Sequence, residues 1–109
     1  METRAGSLHD NIYSVVMDSI RKNIRMLRDK YGITRITIED DTSSNDLPYA
    51  EFSDGKNTYD DVDFIHKIPH EDHKAVNELL EAVKFLERLT SDERLEMNIE
   101  GVEIEITFI

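Results

Sequence analysis

The sequence predicts a single α+β domain in which two helices cover one face of an antiparallel sheet, in the order α-β-β-β-α-β-β. Three observations carry this expectation. A long apolar stripe recurs at helical spacing near the N-terminus, and a second one follows Pro69. Two alternating apolar runs then flank Glu100-Gly101 near the C-terminus. The chain has 109 residues and 12.7 kDa, enough for one compact core and too few for two.

Residues 1–7 are polar and aperiodic, and are expected to form a flexible lead-in to a domain over 8–109. Ser7 suits an N-cap, with Asp10 three residues on as in a capping box. Leu8, Ile12, Val16, Ile20, Ile24, Leu27 and Tyr31 then recur every three or four residues, one stripe of a long helix. Gly32 suits the left-handed residue that ends it. Residues 33–38 are β-branched at five of six positions and read as the first strand. A polar loop follows over 40–46. Asp54-Gly55 predicts a tight turn, with one strand near Tyr49 to Ser53. The third strand is expected over 62–68, where Val62, Phe64, His66 and Ile68 alternate. Pro69 opens a second helix with Ala75, Val76, Leu79, Leu80, Val83, Leu86 and Leu89 inward, Lys84 on its wet side, and an end near Thr90-Ser91.

The C-terminal hairpin carries a register prediction. A two-residue turn at Glu100-Gly101 sets Ile99 opposite Val102, Met97 opposite Ile104 and Leu95 opposite Ile106. Every apolar residue then falls on one face, so turn and hydrophobic phase agree. The same register sets Glu96 directly opposite Glu105 on the other face, a mildly destabilising like-charge pair.

Charge limits the function classes. The formal net charge is −11, which disfavours direct nucleic-acid binding. No apolar run approaches the ~18 residues of a membrane span, and no leader-like segment opens the chain. With no cysteine there is no disulfide, thiolate ligand or thiol nucleophile, which fits a cytoplasmic setting. Charge is also segregated. Residues 20–38 carry six basic residues against one acid, for +5, while residues 39–63 carry one against nine, for −8. Arg21, Arg25 and Arg28 lie on one helix ridge. That ridge is either a cationic contact edge or, as we expect, neutralised by the acidic segment of the same molecule.

No motif for phosphate binding, nucleophilic catalysis or a zinc protease is present, and no enzymatic activity or cofactor is expected. His66, His70 and His73 are close in sequence but divided between an expected strand and a helix start, so no metal site is expected. Residues 54–60 lack the acidic pattern of a calcium loop. The candidate binding residues are therefore acidic: Asp40, Asp41, Asp60, Asp61 and Asp63, with Glu96, Glu103 and Glu105 on the hairpin. Together they suggest a non-catalytic inhibitor that covers the basic surface of a partner such as a nuclease. By charge and size alone this is analogous to nucleic-acid mimics, immunity proteins and anti-defence proteins. The alternative is a small acidic dimeric chaperone or assembly factor, whose order of elements is loosely similar to that of type III secretion chaperones. A homodimer pairing the basic ridge with the acidic face is a third arrangement.

Overall fold

The computed structural model describes residues 4–109, with side chains from Asp10 onward; Leu8 and the other side chains before Asp10 lie outside the described residues. Helix α1 spans Arg4–Tyr31. Residues 4–7 of the expected lead-in are therefore helical, and Ser7 lies inside the helix instead of capping it. Gly32 ends α1 with φ 68°, its N–H donating to the Arg28 carbonyl at 2.9 Å.

Strand β1 is Arg35–Asp40, shifted two residues from its expected place, and β2 is Tyr49–Ser53. The Asp54-Gly55 turn needs two more residues than expected. The Asp54 carboxylate accepts from the backbone N–H groups of Lys56 and Asn57, and the chain turns straight into β3, Thr58–Asp60.

The strand expected over 62–68 is a helix. α2 spans Asp61–Lys67, and Asp60 is its N-cap, accepting from the Asp63 N–H at 2.8 Å. Phe64 and Ile68 are buried one helical turn apart, while Val62 and His66 face solvent. His66 is thus exposed and not on an apolar strand face. A 3-10 turn over His70–Asp72 then leads into α3, His73–Leu86, which stops short of the expected Thr90-Ser91. Strands β4, Arg94–Ile99, and β5, Val102–Phe108, form the last hairpin.

The five strands form one sheet in the order β3-β2-β1-β5-β4. Three pairings are antiparallel, and the central β1–β5 pair is parallel. The hairpin register is the one expected, with Ile99, Met97 and Leu95 opposite Val102, Ile104 and Ile106. Glu100 (φ 54°) and Gly101 (φ 81°) are both left-handed, the signature of a type I′ turn.

One sheet face is buried. Ile36, Ile38, Ala50, Phe52, Val102, Ile104 and Ile106 pack beneath Ile20, Ile24 and Leu27 of α1 and Val76, Leu79, Val83 and Leu86 of α3. Phe64 of α2 stacks on Phe52 at 4.6 Å and meets the edge of Tyr31 at 5.8 Å. Among the described residues no helix lies over the opposite face.

Candidate functional site

Alternation along each strand sends every second side chain to the open face, and pairing aligns these side chains into rows across the sheet. One row crosses all five strands as Asp60, Glu51, Thr37, Glu105 and Glu96. A second reads Thr58, Ser53, Arg35, Glu103 and Asn98. A third reads Tyr49, Glu39, Thr107 and Arg94. Six carboxylates therefore share this face with two guanidinium groups. Neighbouring strands are about 4.8 Å apart, so Glu51 and Glu105 lie on the order of 10 Å apart across β1.

Of the two cations, Arg35 lies on the central strand β1 and Arg94 on the edge strand β4, and both reach toward Glu105. Glu96 and Glu105 do oppose each other, and Arg94 lies between them at 2.8 and 3.0 Å. Arg35 adds a longer contact to Glu105 at 3.6 Å. Glu39, Glu51 and Glu103 have no ion-pair partner among the described residues. The resulting negative field acts on Tyr49, whose phenol is pushed up by desolvation and then by the charges of Glu51, Asp60 and Asp61. A shallow depression of 400 Å³ opens between β1, β5 and β4, lined by Arg35, Glu96, Asn98, Glu103 and Glu105 among others.

The expected acidic site residues divide into four groups. Glu96, Glu103 and Glu105 do share one face, joined by Asp60 from β3. Asp61 and Asp63 belong to α2 instead of a strand, beside this face and not in its rows. Asp40 is no surface residue at all: it is 0% exposed and receives Lys84 Nζ on Oδ1 at 3.1 Å. Its phase explains this, since Ile36, Ile38 and Asp40 point to the same side of β1. Lys84 is correspondingly not on the wet side of its helix. Asp41 folds the following loop, accepting from the Ser43 N–H and hydroxyl at 3.0 and 2.7 Å. Both hydrogen bonds hold its carboxyl below the usual range. Glu39 does face the open side, and Glu51, which the sequence reading missed, joins it, although the inward Ala50 and Phe52 already send Glu51 outward.

The arginine ridge is neutralised within the molecule, but not by the acidic segment. Arg25 reaches Glu100 Oε1 at 2.6 Å, and Arg28 donates to the Glu100 carbonyl at 2.6 Å. Arg21 pairs with Asp18, and Arg28 also with Asp29. The ridge thus clasps the β4–β5 turn. The Arg25 hydrogen bond holds the Glu100 carboxyl below its ordinary value.

His70 and His73 lie edge to face, and His73 is committed to the Ile68 carbonyl at 3.2 Å. Among the described residues no group of three or more His, Asp or Glu is placed to hold a metal, and no helix is long and apolar enough to cross a membrane. Compared with protein-family models, curated proteins and solved structures, the chain shows no significant match.

Proposed function

We propose that the protein is a non-catalytic binding module whose open acidic sheet face docks on the basic, nucleic-acid-binding surface of a partner protein and blocks it. The observation that carries this reading is the asymmetry of the sheet. One face is packed under helices, and the other is uncovered with six carboxylates against two guanidiniums. A sheet fixes the spacing of these charges, so little ordering entropy opposes their engagement. Immunity-type and anti-defence proteins that mimic nucleic acid work in this way, and the absence of cysteine suits a reducing cytoplasm.

The test has two arms. Partners captured from host extract in low salt should elute in high salt and be displaced by duplex DNA. The variant Glu51→Gln/Glu96→Gln/Glu103→Gln should fold normally and lose capture. Association rates of the purified pair should fall about 10- to 100-fold between 50 and 500 mM salt. Capture indifferent to salt, or undiminished in the triple variant, removes the basis for the proposal. The second reading, a dimeric chaperone or assembly factor, draws on a different feature: the exposed apolar side chains of Ile12, Val15 and Phe85.

A further inference from the structure

The open sheet has two edges, and they are not equivalent. β3 offers three residues before the chain turns at Asp60 into α2. β4 offers six, and β5 is its one hydrogen-bonded neighbour in the sheet. It holds no proline, glycine or bulge that would blunt further pairing. An antiparallel pair alternates residues that exchange both backbone bonds with residues that exchange none. The Phe108 N–H fixes the phase, donating to the Glu93 carbonyl at 2.8 Å. From Glu93 the alternation runs through Leu95, Met97 and Ile99, which spend their backbone groups on Ile106, Ile104 and Val102. Arg94, Glu96 and Asn98 therefore turn their N–H and C=O groups outward, along one free edge.

The side chains follow the same alternation. Arg94, Glu96 and Asn98 stand on the acidic face, where the Glu96 side chain is 68% exposed. Leu95 and Met97 stand on the core face but are only half-buried, at the margin of the core. A strand added antiparallel to β4 would pair with Arg94, Glu96 and Asn98 and bring the paired side chains onto the acidic face. Its alternate residues would lie beside Leu95 and Met97. Directly opposed side chains stand about 5 Å apart at Cβ, so recognition proceeds position by position. Cations suit the places opposite Glu96 and Asn98, the second within reach of Glu103, which has no ion-pair partner among the described residues. An uncharged residue suits the place opposite Arg94, and apolar ones suit the places between.

We propose that the outer edge of β4 is a strand-addition site, its occupant an extended segment of a partner protein in which cationic and apolar residues alternate. Charge selects this occupant over a second copy of the chain. Two β4 strands use all their outward groups in one antiparallel register only, with Arg94 against Asn98 and Glu96 against Glu96 on the two-fold axis. That register sets like charges directly opposite, between two chains of net charge −11 each. A basic segment meets the reverse condition at the same positions. Such a site rests on the reading of the acidic face given above, and adds main-chain hydrogen bonds along β4 to the charge on that face.

The probe is the N-acetylated, C-amidated peptide Val-Lys-Val-Lys-Val-Thr, written to lie opposite residues 99 to 94. Lys-Lys-Val-Val-Val-Thr, capped in the same way, is a control of equal charge and composition. Each is titrated into the isotopically labelled full chain, to about 5 mM, which covers the millimolar Kd that a few main-chain bonds supply. With the alternating peptide, amide exchange with water at Arg94, Glu96 and Asn98 should slow at least about fivefold, while Thr58 and Tyr59 at the other edge stay unchanged. The control should bind at least about fivefold more weakly. Glu96→Pro removes one outward N–H and leaves the β4–β5 ladder whole, since an edge strand tolerates proline where its N–H faces solvent. Glu96→Gln removes the same carboxylate and keeps the N–H. The proline variant should bind the peptide at least about threefold more weakly than the glutamine variant, with an unchanged far-UV circular dichroism spectrum. No binding of the alternating peptide, equal binding by the two folded variants, or protection absent from the three edge amides overturns the proposal. The exchange pattern of the unmodified chain decides it even where the proline variant misfolds. Equal binding of both peptides that is lost in high salt removes edge pairing alone, whereas capture indifferent to salt removes the role of the face itself.

Discussion

Replacing Lys84 by Met should expose the cost of the buried carboxylate of Asp40. Asp40 closes β1 with its side chain fully enclosed, and Lys84 is the cation that reaches it. The same ammonium donates to the Asp41 carbonyl at 3.0 Å and lies 3.1 Å from Glu87. Asp40 Oδ2 has no hydrogen-bond partner. Burial pushes the Asp40 carboxyl up, and Glu87 beside it pushes the same way, because a protonated Asp40 donates to Glu87. Methionine keeps the stem of Lys84 and removes the charge, so the variant leaves Asp40 uncompensated. Breaking a buried pair in this way costs about 3–5 kcal/mol. Protonation sets a ceiling on the cost. Neutralising a carboxyl with an ordinary pKa of about 3.9 takes about 4 kcal/mol at pH 7 and about 1.5 at pH 5. Urea unfolding followed by circular dichroism should therefore show Lys84→Met destabilised by about 3–4 kcal/mol at pH 7, shrinking to about 1.5 at pH 5. Asp40→Asn keeps an acceptor for Lys84 and gains a donor toward Glu87, so it should stay within about 1 kcal/mol of the parent. The double variant should recover most of the loss. A Lys84→Met cost below about 1 kcal/mol at pH 7, or one that does not shrink on acidification, would refute this account of the pair.

Other expectations follow from the packing and from the shifted groups. Phe64→Ala should cost about 3–5 kcal/mol in the same unfolding assay, because its ring is enclosed between Phe52 and Tyr31. Asp60→Ala should cost about 1 kcal/mol through the lost α2 cap, and Val62→Ala almost nothing. The Tyr31 hydroxyl donates to Asp72, and it is first among the causes that hold the Asp72 carboxyl below its usual range, with Lys30 next. That contribution is present above the ordinary carboxyl pKa and lost as pH falls through the lowered one, so Tyr31→Phe should move acid unfolding to higher pH. The Tyr31 phenol itself is pushed up to about 12, by burial first, so its contribution is complete below pH ~10 and lost between there and about 12. The urea midpoint measured across both ranges checks each sign. Glu100 occupies a left-handed position that Gly or Asn prefers, held by Arg25 and Arg28. Glu100→Gln should lower the melting temperature by about 2–4 °C, while Glu100→Gly, which also relieves the backbone, should stay within about 2 °C.

What could be read from sequence depended on how local the deciding interaction is. The β4–β5 register follows from two adjacent turn residues and the phase of their neighbours, so it was legible in full. The stripe of α1 was legible because its period is sustained over many turns. Residues 62–68 defeat such reasoning. Over seven residues, the alternation of Val62, Phe64, His66 and Ile68 fits a strand, and the spacing of Phe64 and Ile68 fits a helix equally well. The discriminating signal was the cap: an Asp at 60 whose side chain meets the N–H at 63. The same reading would have ended β3 at Asp60.

The candidate site was half legible for a similar reason. Strand phase decides which carboxylates face out. On β4 and β5 it sets Glu96, Glu103 and Glu105 together, and on β1 and β2 it turns Asp40 inward after Ile36 and Ile38, and Glu39 and Glu51 outward. No sequence rule, however, joins Asp40 to Lys84 or Arg25 to Glu100, which lie 44 and 75 residues apart. The Arg25–Glu100 contact exists because β5 inserts beside β1 as a parallel neighbour and brings the β4–β5 turn under α1. This insertion also explains where the uncompensated charge ends up. It places the arginines of α1 against the turn on the buried side of the sheet, so they are consumed away from the open face. Only Arg35 and Arg94 remain among the six carboxylates. The segregation of charge that is visible in the sequence therefore becomes a separation between two sides of one sheet, and the acidic side is the one that the fold leaves uncovered.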